Sequence, residues 1–154
     1  MVVKNLSKLI PNLKSFNRDQ NDKHIVLALG CFDIFHVGHL EYLIEAKSLG
    51  DVLVVGINSD ESYQIIKQKK PRFTENDRGR IIEALEVVDY YFVFQETTGE
   101  ASINLLKPTV FVKGPDYVKK QLIPEYSICK KIGCEVHIAG ISKRASSQEL
   151  RKFL

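Results

Sequence analysis

Short apolar runs alternate with amphipathic stretches along most of the chain. The runs are "HIVLAL" (24–29), "DVLVVGIN" (51–58), "DYYFVF" (89–94), "TVFVKG" (109–114) and "CEVHIAG" (134–140). Each is rich in β-branched and aliphatic residues, as buried parallel strands are. The stretches between them carry helical spacing. In "HLEYLIEAKSLG" (39–50) Leu40, Leu43 and Ile44 share a face and Gly50 is a stop signal. "SDESYQIIKQ" (59–68) opens on Ser59 and Asp60, and "TENDRGRIIEALEVV" (74–88) on Thr74 with acids in its first turn. "TGEASINLLK" (98–107) is stopped by Pro108, "VKKQLIPEYSICKKIG" (118–133) is broken or restarted at Pro124, and "SSQELRKFL" (146–154) closes the chain.

Five strands separated by helices predict an α/β fold with a parallel sheet covered on both faces. Right-handed crossovers make it doubly wound, with strand order 3-2-1-4-5. Strands 1 and 4 are then neighbours whose connections leave in opposite directions, which opens a crevice at their carboxyl ends. The loop "GCFDIFHVGH" (30–39) and the loop "KGPDY" (113–117) meet there, although they are far apart in sequence. The domain so defined covers 23–154. A leading segment, 1–22, ends in a polar linker and carries Leu6, Leu9, Ile10 and Leu13 as an apolar stripe. The stripe suits packing on the domain surface or against a second copy of the chain, which makes a homodimer an expectation.

Composition narrows the classes. The chain has 154 residues with 44% hydrophobic and 27% charged residues, which suits one soluble globular domain. A net charge of +3 is too small to argue for nucleic acid, but a local basic patch can serve a phosphorylated small molecule. No apolar stretch approaches a membrane span, and lysines with Pro11 interrupt any signal-like start. Cys31, Cys129 and Cys134 have neither CxxC nor zinc spacing, which reads as free thiols in a cytoplasmic protein.

The crevice loops hold the candidate chemistry. Gly30 ends strand 1, where a Cβ would obstruct a ligand, and Gly38 lies at a helix start, where free N–H groups favour an anion. His36 and His39, three apart, face the same side of that turn and suit a phosphate better than a metal, for which a third ligand is missing. Cys31 is better read as a small hydrophobe than as a nucleophile. Asp33 can fix a turn or help carry Mg²⁺. "KQKKPRF" places Lys67, Lys69, Lys70 and Arg72 where they form either a solvated face or a cationic lid, with Arg78 just beyond. Ser146 and Ser147 begin the last helix as a cap, an anion cup, or both, beside Lys143 and Arg144. No GxGxxG or GxxxxGK[ST] is present, so dinucleotide oxidoreductases and P-loop kinases are disfavoured.

"GCFDIFHVGH", "EAKSLGDVLVVGINSD", "RFTENDRGRIIEALEVVD", "VKGPDY" and the final "SS" together resemble the HxGH nucleotidyltransferase superfamily, the cytidylyltransferase-like group, from Ile25 onward. The resemblance implies a Rossmann-like fold and an enzyme that joins a nucleoside triphosphate to a phosphorylated acceptor with loss of pyrophosphate. It implies that His36 and His39 contact the triphosphate, that Lys70 or a neighbouring lysine binds phosphate, and that Arg78 is a catalytic cation. It places Gly30, Cys31, Phe32, Asp33, Gly38, Lys113, Gly114, Asp116, Tyr117, Ser146 and Ser147 along the nucleotide. Asn58, Asp60, Lys67 and Arg72 fall on the acceptor side, and Mg²⁺ accompanies ATP. "TTGEASINLLKPTVFVKGPDY" and "GCEVHI" are similar to the adenylyltransferase domain of bacterial ADP-heptose synthesis, which implies ATP, a heptose 1-phosphate-like acceptor and a place in lipopolysaccharide biosynthesis. Pro115 stands where that group has a second glycine. "RFTENDR" is also close to cytidylyltransferases for glycerol 3-phosphate or phosphoethanolamine, so a CTP-dependent enzyme is the alternative. A non-catalytic nucleotide-sensing module is the alternative of another class.

Overall fold

The computed structural model describes residues 6–17, 24–117 and 119–140. Five parallel strands form one sheet in the order β3-β2-β1-β4-β5. They are β1 (Ile25–Gly30), β2 (Val52–Asn58), β3 (Tyr90–Phe94), β4 (Val110–Lys113) and β5 (Glu135–Ile138). The order is the one the strand–helix alternation predicts. Strand 1 runs one residue later than its sequence pattern suggests, because His24 lies just outside it and Gly30 pairs with Ile57.

Six α-helices flank the sheet among the described residues: α1 (Leu6–Asn17), α2 (Val37–Ser48), α3 (Asp60–Lys67), α4 (Glu75–Glu83), α5 (Glu100–Leu106) and α6 (Tyr126–Ile132). The pleat of β1 sorts its residues between two cores. Ile25, Leu27 and Leu29 face the cluster that contains α1, α5 and α6 residues, and Val26 and Ala28 face the cluster of α2 and α4. Leu6, Leu9 and Leu13 of the leading segment are buried in the first cluster, so that stripe covers the sheet of its own chain.

Two helices are shorter than their sequence patterns. The stretch 74–88 is helical only to Glu83, with Thr74 as N-cap, as expected, and Ala84 as C-cap. Leu85, Val87 and Val88 leave the helix to pack on the second cluster, and the carboxylate of Asp89 accepts the N–H of Leu53 at 2.7 Å. Pro124 separates a short 3-10 turn, Lys120–Leu122, from α6. The closing helix expected at 146–154, Ser146, Ser147, Lys143, Arg144 and the linker at 18–23 lie outside the described residues.

The carboxyl ends of β1, β2, β3 and β4 (Gly30, Asn58, Phe94 and Lys113) all line one cavity of about 530 Å³, beside the β1/β4 switch point.

Candidate active site

The turn after β1 sets the site. Phe32 adopts a left-handed φ of 48°, a conformation a bulky residue holds only when its surroundings demand it. Its ring is buried, stacks on Tyr42, and meets the His39 ring edge-on at 5.4 Å. A Cβ on Gly30 would lie 2.9 Å from that ring. Gly30 therefore serves the turn's own packing as well as lining the cavity.

His36 is the N-cap of α2 and His39 its third residue. Nδ1 of His36 accepts the N–H of Gly38 at 3.1 Å, and Nδ1 of His39 accepts the N–H of His36 at 3.3 Å. An imidazole that accepts at Nδ1 carries its proton on Nε2. Each ring is thereby fixed as a neutral donor. The rings stack with centroids 3.8 Å apart, and both line the cavity. Burial, with the His36 ring as a second cause, pushes the His39 pKa down to about 4. The Gly38 N–H expected to be free for an anion is taken by His36. The N–H groups of His36 and Gly38 are thus held by the two imidazoles, each of which carries its proton on Nε2.

Other expected residues divide into two groups. Lys67, Lys69, Asn58, Lys113, Gly114, Asp116 and Tyr117 line the cavity with Cys31, Phe32 and Asp33. Burial pushes the Cys31 thiol up, against Lys67, Arg78 and Lys113, so it stays protonated near neutral pH. Asp60, Lys70, Arg72 and Arg78 do not line it. Lys70 and Arg72 are exposed, beyond the left-handed Gln68 that ends α3, and Lys69 takes the wall position in place of Lys70.

Arg78 is fully buried. Its Nε donates to the Phe73 carbonyl, Nη1 to the carbonyls of Cys31 and Asn58, and Nη2 to Asp60 Oδ1 at 2.7 Å. One guanidinium thus ties the ends of β1 and β2 to the basic loop and to α3. It positions the site's walls and does not line the cavity, where the resemblance expects a catalytic cation. Asp60 serves the same fastening.

Asp33 is also buried. Its Oδ1 accepts the N–H groups of Arg72 and Phe73 at 2.8 and 3.0 Å, and Oδ2 accepts the Tyr63 hydroxyl at 3.2 Å. A carboxylate so engaged fixes the basic loop and is a poor Mg²⁺ carrier, and the turn it fixes is a distant one. Among the described residues no group of three or more His, Cys, Asp or Glu is arranged to hold a metal ion.

Three further parts of the wall escape the sequence reading: Thr97, Thr98 and Gly99 after β3, Tyr63 of α3, and Glu125 ahead of α6. The first could have been found by treating the "TTG" after strand 3 as another carboxyl-end loop. Nothing in the sequence marks Glu125.

Known proteins resemble this chain in sequence and fold. A family model described as cytidylyltransferase-like matches residues 27–153. The bifunctional protein HldE of Helicobacter pylori is 46% identical over 77% of this chain in one strain, and that of a Nitratiruptor species is 41% identical over 84%. The chain spans 25% and 28% of those two relatives. A solved lipopolysaccharide core biosynthesis protein from Thermoplasma volcanium is 36% identical with a TM-score of 0.66, over 80% of this chain and 99% of that one. A pantoate-beta-alanine ligase from Francisella tularensis, 17% identical over 100% of this chain and 73% of that one with a TM-score of 0.67, shares the fold alone. With the HxGH turn, the strand order and the family match in agreement, this chain belongs to the cytidylyltransferase-like family of nucleotidyltransferases.

Proposed function

We propose that the protein transfers the adenylyl group of ATP to a heptose 1-phosphate-like sugar phosphate, releasing pyrophosphate, in the cytoplasm and in the service of lipopolysaccharide synthesis. The observation that carries the transfer chemistry is the reciprocal capping of His36 and His39, which fixes two neutral N–H donors on one cavity wall. The sugar phosphate attacks the α-phosphorus, a new P–O bond forms, and the bond to pyrophosphate breaks. Such a transfer asks for positioning and charge stabilisation rather than covalent catalysis. His36 and His39 donate to phosphate oxygens as charge builds, and Lys67 and Lys69, at the end of α3 and just beyond it, neutralise it. Mg²⁺ carried by the triphosphate would supply further charge screening there. The β4 loop, with Lys113, Gly114, Asp116 and Tyr117, receives the nucleoside.

The choice of acceptor is supported by the likeness of the β4 region to the adenylyltransferase domain of ADP-heptose synthesis. The HldE and lipopolysaccharide core biosynthesis relatives support it too. Three free cysteines suit a reducing compartment.

The test is pyrophosphate release with Mg²⁺, crossing ATP and CTP against heptose 1-phosphate, glycerol 3-phosphate and phosphoethanolamine. Release with ATP and heptose 1-phosphate alone is expected. Release with CTP and a polyol or amino-alcohol phosphate would move the protein to cytidylyl transfer. Tight nucleotide binding without release in any pair would favour a sensing role.

A further inference from the structure

The cavity lining contains a buried carboxylate that the transfer chemistry does not use. Glu125 sits at the N-cap position of α6, yet its side chain makes no cap bond to that helix. It is 2% exposed and turns away towards the loops after β3 and β4. Oε1 accepts the N–H of Gly99 at 2.9 Å. Among the described residues Oε2 has no hydrogen-bond partner, and its neighbour is the Lys113 ammonium at 3.4 Å, an ion pair without hydrogen-bond alignment. Lys113 ends β4, and its Nζ lies 5.5 Å from the centre of the Tyr117 ring and 5.7 Å from that of Phe111. Two aromatic rings and one carboxylate therefore bracket the ammonium at the cavity wall.

A buried carboxylate oxygen left without a donor is a costly arrangement. An ammonium held there by charge, but not locked by an aligned bond, keeps its own donors available to a ligand. The geometry points to Glu125 as a positioning residue for the nucleotide site. It aims Lys113 at the cavity by charge, and clamps the loop at Gly99 to the β4 loop by its second oxygen. The inference rests on the reading of the cavity as a nucleotide site, and it concerns a residue that acts through Lys113.

The experiment is a double-substitution cycle on the full chain with Lys113→Met and Glu125→Gln, read by thermal unfolding and by calorimetric binding of ATP and CTP with Mg²⁺. Gln can keep the Gly99 bond and removes only the charge. Lys113→Met should lower the Tm by about 5 °C or more, because it leaves a buried charge uncompensated, and adding Glu125→Gln should recover most of the loss. Lys113→Met should weaken nucleotide binding about tenfold in the native background and less than about threefold beside Glu125→Gln. Additive effects on Tm, or on affinity, would overturn the proposal. Lys113→Arg restores the charge without needing a second change, so it should recover Tm and affinity to within about threefold. An arginine variant as impaired as the methionine one would also overturn it. Failure of both nucleotides to bind the native protein would refute the nucleotide-site reading, and the thermal cycle would still decide whether the two charges act as a pair.

Discussion

His39 shows how a single side chain can be both structure and chemistry. Its Nδ1 closes the first turn of α2, and this fixes which nitrogen is left to donate. Its pKa of about 4, against an ordinary 6.5, follows first from burial and then from the second ring stacked on it. Between those values the unfolded chain binds a proton that the native site refuses. This contribution to stability is therefore complete above about pH 6.5 and is lost as the pH falls towards 4. An imidazole-detected NMR titration of the free protein should place the His39 midpoint near 4, and pyrophosphate should raise it, since an anion favours the imidazolium. A midpoint near 6.5 would contradict the stacked, buried pair. His39→Ala should fold, with about 1 kcal/mol lost at the cap, and should lose about 100-fold or more in turnover. Unchanged pyrophosphate release in that variant would remove His39 from the mechanism.

At the scale of elements, the basic loop between α3 and α4 is fastened from two sides. Asp33 takes the N–H groups of Arg72 and Phe73, and Arg78 takes the Phe73 carbonyl. Arg78→Met would leave the carbonyls of Cys31, Asn58 and Phe73 short of a buried donor and Asp60 without its cation. The expected loss is about 3 kcal/mol or more, and a Tm lower by roughly 6–12 °C in thermal unfolding. A variant that kept its Tm and lost only turnover would mean that Arg78 touches substrate after all. A helix-start arginine after a lysine-rich loop reads as one more phosphate ligand, and only the fold reveals that the ends of β1 and β2 present carbonyls to it. Strand order and the meeting of the loops at 30–39 and 113–117 are legible because alternation and crossover handedness leave few topologies. Glu125 is not legible, because its partners Gly99 and Lys113 are joined to it only by the sheet. The apolar pattern runs past the end of α4 because Leu85, Val87 and Val88 continue it while packing outside the helix.

At the scale of the molecule, the two faces of the sheet carry different loads. The α2 and α4 face bears the HxGH turn and the Arg78 fastening, whereas the α1, α5 and α6 face holds the larger cluster. Helix α1 lies before the matched family region, which starts at residue 27, yet it buries Leu6, Leu9 and Leu13 in that cluster. Leu9 is fully buried, and its helix meets α5 and β3. Both border the Thr97–Gly99 part of the cavity wall, so α1 packs on the two elements that carry that wall. Leu9→Ala should lose about 2–5 kcal/mol through the cavity it leaves, seen as a Tm lower by roughly 4–20 °C. Turnover per folded molecule should be unchanged at a temperature well below the transition, because the capping of His36 and His39 and the ties of Arg78 lie across the sheet. A large fall in kcat with an unchanged Tm would instead make α1 part of the site, and the sheet would not be the barrier between the two faces that its buried strands suggest.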